Sequence, residues 1–167
     1  DSEGEEEETE PSLAAVESPA QDPADGDEED PMVFVQLAQA AASHPDQDGG
    51  VQVVAYIDDG SYRTFISEDL ADLLKLPVCR IRKIKVGAFG GRSVVRRSRQ
   101  VEVRLARPGD PSRSVVLKAW VVDKICGPMI QQKLKKLPTS LARLSPWADT
   151  FDGGKRQVRI LVGGDQI

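Results

Sequence analysis

Along most of the chain the apolar residues fall at every second position or in short unbroken runs, the two spacings that strands produce. Val101, Val103 and Leu105 alternate with polar neighbours, as do Val115, Leu117, Ala119 and Val121. Each set predicts a strand with one buried face, over Ser93 to Ala106 and Ser114 to Val122, joined by a turn at Arg107-Pro108-Gly109-Asp110. Val53 to Ile57 and Val158 to Val162 are nearly continuous apolar, β-rich runs, each expected to be a strand. Two further strands are expected over Arg80 to Lys85 and Met32 to Ala42, the latter separated from Val51 to Ile57 by the polar loop His44 to Gly50. The alanine-rich stretch Ala38 to Ala42 suits a helix equally well.

The helical period of 3.6 surfaces in two places. Ser67 is a candidate N-cap, followed by Glu68 and Asp69 in the first turn and by Leu70, Ala71, Leu73 and Leu74 as an apolar face; Lys75 and Pro77 close the segment. Met129 to Leu137 reads as a second amphipathic helix, and the stretch from Trp147 to Gly154 as loop. The expected class is therefore mainly β, with one or two short helices.

Three strand ends carry candidate chemistry. The run Val53 to Ile57 delivers Asp58 to a tight turn, Asp58-Asp59-Gly60-Ser61, in which Ser61 is expected to bond back to the main chain. Arg63 reads as a structural or rim cation. Gly87-Ala88-Phe89-Gly90-Gly91 marks the bend of a hairpin, where glycine lets backbone approach a ligand closely. Val158 to Val162 ends in Gly163-Gly164-Asp165. An Asp-x-Gly triplet alone occurs by chance in most proteins; the ordered set is more specific.

Ala55-Tyr56-Ile57-Asp58-Asp59-Gly60-Ser61-Tyr62-Arg63-Thr64-Phe65-Ile66, then Val86 to Gly91, then Leu161-Val162-Gly163-Gly164-Asp165 resembles the retropepsin-like aspartyl peptidase domain in polyproteins of BEL/Pao-type LTR retrotransposons. That resemblance implies an acid-protease half-barrel over residues 31–167. It implies Asp58 as the catalytic carboxylate, Asp59, Gly60 and Ser61 as the active-site loop, Gly87 to Gly91 as a substrate-covering flap tipped by Phe89, and Gly163, Gly164 and Asp165 as loop support. In that chemistry one carboxylate deprotonates a water while a second, protonated, polarises the scissile carbonyl. Only one suitable Asp-x-Gly turn is present, so the second carboxylate would be Asp58 of another copy. The implied enzyme is a homodimeric aspartic endopeptidase that cleaves polyprotein segments without metal or cofactor. A helix and an interface strand would be expected beyond the late motif.

One position departs from the family pattern. Asp59 stands where the family has Ser or Thr, whose hydroxyl bonds across the dimer; an ionised carboxylate accepts but cannot donate. The alternative reading is a catalytically inactive retropepsin-like module for peptide binding or assembly.

Other chemistries find little support. The single histidine, His44, lies in a Pro/Asp/Gly loop, no G-x-S-x-G elbow is present, and Cys79 and Cys126 are far apart, which disfavours Ser-His, Cys-His and zinc systems. Asp46 and Asp48 lack the ligand spacing of an EF-hand. Two lone cysteines suit a reducing compartment, so a cytoplasmic setting, or the interior of a retroelement particle, is expected. No run of about 18 apolar residues suggests a membrane helix.

Charge divides the chain into two parts. Residues 1–30 carry 14 of the 27 acidic side chains and no Lys or Arg, leaving 13 acidic against 22 basic residues downstream. With few bulky apolar groups, this acidic segment is expected to be a disordered tail. Arg80, Arg82, Lys83 and Lys85 precede the glycine bend, and Arg92, Arg96, Arg97 and Arg99 follow it. Such arms suit phosphate contacts, but aromatic residues make up 5% of the chain and only Phe89 interleaves with the run, so nucleic acid is the weaker partner.

Overall fold

A computed structural model describes residues 36–87, 93–127, 129–130 and 155–166. The expectation for the acidic segment 1–30 lies outside these residues, as do those for residues 32–35, for the loop 147–154 and for the flap residues Ala88 to Gly91.

The elements follow in the order β1 (Leu37–Ser43), β2 (Val51–Ile57), β3 (Phe65–Ser67), α1 (Glu68–Leu73), β4 (Val78–Val86), β5 (Val94–Arg107), β6 (Asp110–Val122), β7 (Met129–Ile130), β8 (Lys155–Arg156) and β9 (Val158–Val162). The fold is mainly β, as the alternation predicts. The strands run β1-β2-β9-β3-β6-β5, and β1 pairs back onto β5 to close a six-stranded barrel. The length of β5 makes the closure possible. Val94 to Val101 of β5 pair with β4, and Arg104 to Ala106 pair with β1, so one long strand serves two neighbours in succession. Among the described strands β4 pairs with β5 alone, outside the closed ring.

Two parallel pairings, β2 with β9 and β3 with β6, bracket the antiparallel pair of β3 with β9. They lie where the apolar runs are unbroken. Ala40, Ala42, Val53, Ala55, Val101, Val103, Leu117, Ala119 and Ile160 fill the barrel interior, and Leu70, Ala71 and Leu76 around α1 join that cluster. A second cluster is built on Phe65, Ile84, Trp120, Val122, Ile125, Val158 and Leu161, with Tyr56, Leu37 and Val86 packed against it. The alternating residues of β2 are divided between the two: Val53 and Ala55 face the interior, whereas Val54 and Tyr56 face the second cluster.

Several expectations are corrected. The alanine-rich stretch is the strand β1, because Ala40 and Ala42 are the small residues that the interior accepts beside Val53. Met129 and Ile130 form a strand against Lys155 and Arg156 and so do not begin a helix; cross-strand pairing overrides local helical propensity there, and residues 131–137 lie outside the described set. The helix α1 occupies its expected place, with Ser67 at the N-cap, Leu74 at the C-cap and Lys75 in the left-handed region at φ 50°. Leu73, however, points outward and is 60% exposed, since one six-residue helix offers the core only Leu70 and Ala71. Val115, in the exposed first half of β6, is 54% exposed. No helix among the described residues is long and apolar enough to cross a membrane.

Candidate active site

Asp58 stands at the end of β2, where strand pairing gives way to a turn. Its amide donates to the carbonyl of Val162 on β9 at 2.9 Å, and the Ile57 amide donates to Gln36 at 2.8 Å. The backbone entering the turn is thus held from both sides. The turn closes through the Ser61 amide, which donates to the Asp58 carbonyl at 3.1 Å. The Gly60 amide donates to Asp58 Oδ1 at 3.0 Å, fixing the carboxylate over its own loop. Asp58 is 8% exposed, and its Oδ2 is buried without a hydrogen-bond partner among the described residues. A buried carboxylate oxygen left in this way costs on the order of 1–3 kcal/mol, so the elbow carries an unmet demand for a donor.

The neighbouring residues divide by exposure. Ser61 is buried and its hydroxyl donates to the Arg63 carbonyl at 2.8 Å, the local side-chain-to-backbone bond expected from the sequence. Asp59, Gly60 and Tyr62 face outward. Arg63 lies over the Trp120 ring at 5.6 Å, a cation–π contact that ties the loop to β6.

The late glycine motif packs directly beneath the turn. The Gly164 amide donates to the Ser61 carbonyl at 2.7 Å. A Cβ at Gly163 would lie 2.4 Å from the Arg63 carbonyl oxygen and 2.7 Å from that of Ser61, so only glycine allows the two loops to approach this closely. At Gly164 the same atom would make ordinary contacts of 3.6 Å and 3.7 Å.

Thr64 links the two motifs and was not singled out from the sequence. Its hydroxyl donates to Asp165 Oδ1 at 2.7 Å and accepts from the Gly163 amide at 3.0 Å, while its carbonyl accepts from the Trp120 amide at 2.8 Å. One fully buried side chain thereby joins β9 and the Asp58 loop, and its carbonyl extends the link to β6. A hydroxyl six residues after the aspartate and 101 residues before its acceptor leaves no local pattern to read. Asp165 is thus tied to Thr64, six residues beyond Asp58.

Tyr56, two residues before Asp58, is half-buried and packs on the second cluster. Burial pushes its phenol above the ordinary value, and the charges of Asp58, Cys126 and Asp59 push in the same direction.

Gly87 follows directly on β4, and Val86 pairs with Val94, so the hairpin arms expected around the glycine bend are present. The Asp58 turn lines neither the cavity of about 270 Å³ beside Glu68, Ile81 and Arg99 nor that of about 290 Å³ beside Ser43, Asp48 and Arg104. No group of three or more His, Cys, Asp or Glu side chains that could hold a metal occurs among the described residues. Comparison with protein-family models, with curated proteins and with solved structures finds no match to this chain.

Proposed function

We propose that the chain is the subunit of a homodimeric aspartic endopeptidase of retropepsin type, acting on extended segments of a retroelement polyprotein in the cytoplasm or within a particle. The observation that carries this reading is the state of Asp58: Oδ1 is held by the Gly60 amide while the buried Oδ2 has no hydrogen-bond partner among the described residues. A second copy related by a twofold axis would present the same turn, and two carboxyl groups facing each other would hold one proton between them. The ionised member would take a proton from water and the protonated member would polarise the scissile carbonyl. Gly163, Thr64 and Asp165 support the reading as a brace that fixes the elbow without entering the chemistry. Gly87 to Gly91, carried on the β4–β5 hairpin, would close over the peptide and offer it main-chain hydrogen bonds.

Cleavage is expected in acidic solution. Asp58→Asn should lower it by on the order of a thousandfold or more while leaving the fold intact, and pepstatin should block it in the unsubstituted protein. Cleavage that survives Asp58→Asn overturns the proposal.

A second reading rests on Asp59, which is exposed where the resembled family has a hydroxyl. If its ionised carboxylate faces its counterpart across a dimer, like charges repel and no donor bridges the two loops. The domain then binds peptides or mediates assembly without cleaving. Asp59→Thr separates the two: a gain of cleavage identifies Asp59 as the inactivating residue.

A further inference from the structure

The β4–β5 hairpin carries positive charge on both faces. Opposed residues of an antiparallel pair share a face, so Lys83 with Arg97 and Lys85 with Val95 form one side, continued by Ile81 with Arg99. Arg80 and Arg82 lie on the other. Two of the hairpin's cations are already engaged: Arg96 bonds Asp123 at 2.8 Å, and Arg99 bonds Asp72 on α1. Arg80, Arg82, Lys83, Lys85 and Arg97 are exposed and make no ion pair with a described residue. Beside them Ile81 and Val95 expose apolar surface, at 53% and 57%. Lys83, Lys85 and Arg97, without an ion pair to a described residue and beside Ile81 and Val95, form one surface suited to an acidic polypeptide.

The chain itself contains such a polypeptide, joined to the described chain ahead of Gln36. Residues 1–30 hold 14 carboxylates and no cation. The described chain begins at Gln36, whose carbonyl accepts from the Ile57 amide, one residue before Asp58. Leu37 belongs to the same cluster as Ile84 and Val86, which lie on the Arg82 face of the hairpin, so the described chain begins near β4. Thirty extended residues reach about 100 Å and the six steps from Asp30 to Gln36 about 20 Å, whereas the basic stretch from Arg80 to Val86 spans only about 20 Å.

We propose that residues 1–30 dock on the exposed basic face of the β4–β5 hairpin of their own chain, with the carboxylates of the acidic segment neutralising Lys83, Lys85 and Arg97. The docking would lay acidic chain along the arms that lead to the glycine bend, on the face where Arg99 bonds Asp72 of α1. It depends on charge and attachment alone and stands whether or not the domain cleaves peptide bonds.

Zero-length carbodiimide cross-linking of the full chain tests this, with an equal mixture of isotope-labelled and unlabelled protein to separate links within a chain from links between chains. At low salt the proposal expects carboxylates of residues 1–30 to link to Lys83 and Lys85 within one chain, well above links to Lys75, Lys118 or Lys155. At about 1 M salt, where the screening length falls to about 3 Å, those links should be largely lost. Arg97→Ser, which removes charge without removing a linkable amine, should lower the yield at Lys83 and Lys85. Links spread evenly over the lysines, links that run between chains, or yields indifferent to salt would each overturn it. Because no peptide cleavage is read, the result is separate from that of the Asp58→Asn assay.

Discussion

At the residue scale the candidate site is a set of short, mutually dependent contacts, and each can be removed singly. Gly163→Ala puts a methyl group into the Arg63 and Ser61 carbonyls and should destabilise the fold by about 3 kcal/mol, whereas Gly164→Ala, with room at 3.6 Å, should stay within about 0.5 kcal/mol. Urea denaturation of the two variants measures the contrast, and equal losses would show that the close approach is not what requires glycine. Thr64→Val keeps the shape but strands the Gly163 amide and the Asp165 carboxylate; a loss of about 1–3 kcal/mol is expected, with Thr64→Ser recovering most of it. Tyr56 reports on the same neighbourhood by absorbance. Its folded-state value is raised, so its contribution to stability is present below the unfolded value of about 10 and is lost as pH rises through the folded one. In a Tyr62→Phe background, Asp58→Asn should shift the alkaline titration of Tyr56 part of the way back and not fully, because burial is the larger cause. An unchanged midpoint would mean that the Asp58 charge is not felt at Tyr56.

At the scale of elements, the barrel depends on small residues where strands cross the interior. Ala119 is fully buried opposite Val101, and Ala119→Leu should cost about 1–3 kcal/mol by overpacking; a stability unchanged in thermal unfolding would argue for an interior with spare volume. The strands with the clearest periodicity were the most legible from sequence: β9 matches its apolar run residue for residue, β2 contains its run and begins two residues earlier, and β5 follows its alternation. The same is true of α1, where a cap residue, first-turn acids and a closing Pro77 agree. Elements whose identity is decided by distant partners were not legible. The alanine-rich β1 is a strand because β2 and β5 flank it, and Met129 is a strand residue because Lys155 and Arg156 lie beside it. Closure of the ring is equally invisible locally, since it arises where β5 outruns β4 and reaches β1. At the site, the Asp58 turn and the Gly163 motif could be read as separate punctuation marks. The hydroxyl of Thr64 that joins them could not, because nothing local distinguishes it from any other strand-end threonine.

At the scale of the whole molecule, one chain holds one Asp58 elbow, braced from beneath by β9 and open to solvent through Asp59, Gly60 and Tyr62. Water activation by an aspartic pair needs a second carboxyl within hydrogen-bond reach, and the proposed source is the same residue of another copy. Activity should therefore rise more steeply than in proportion to chain concentration until the dimer is saturated, a dependence that dilution series read directly. The most direct test of the central claim mixes unsubstituted and Asp58→Asn chains at constant total concentration and follows cleavage of an extended peptide in acidic solution. If two Asp58 side chains make one site, activity falls as the square of the unsubstituted fraction, so an equal mixture retains about a quarter. A decline in simple proportion to that fraction, or no cleavage by the unsubstituted protein at all, would contradict the account.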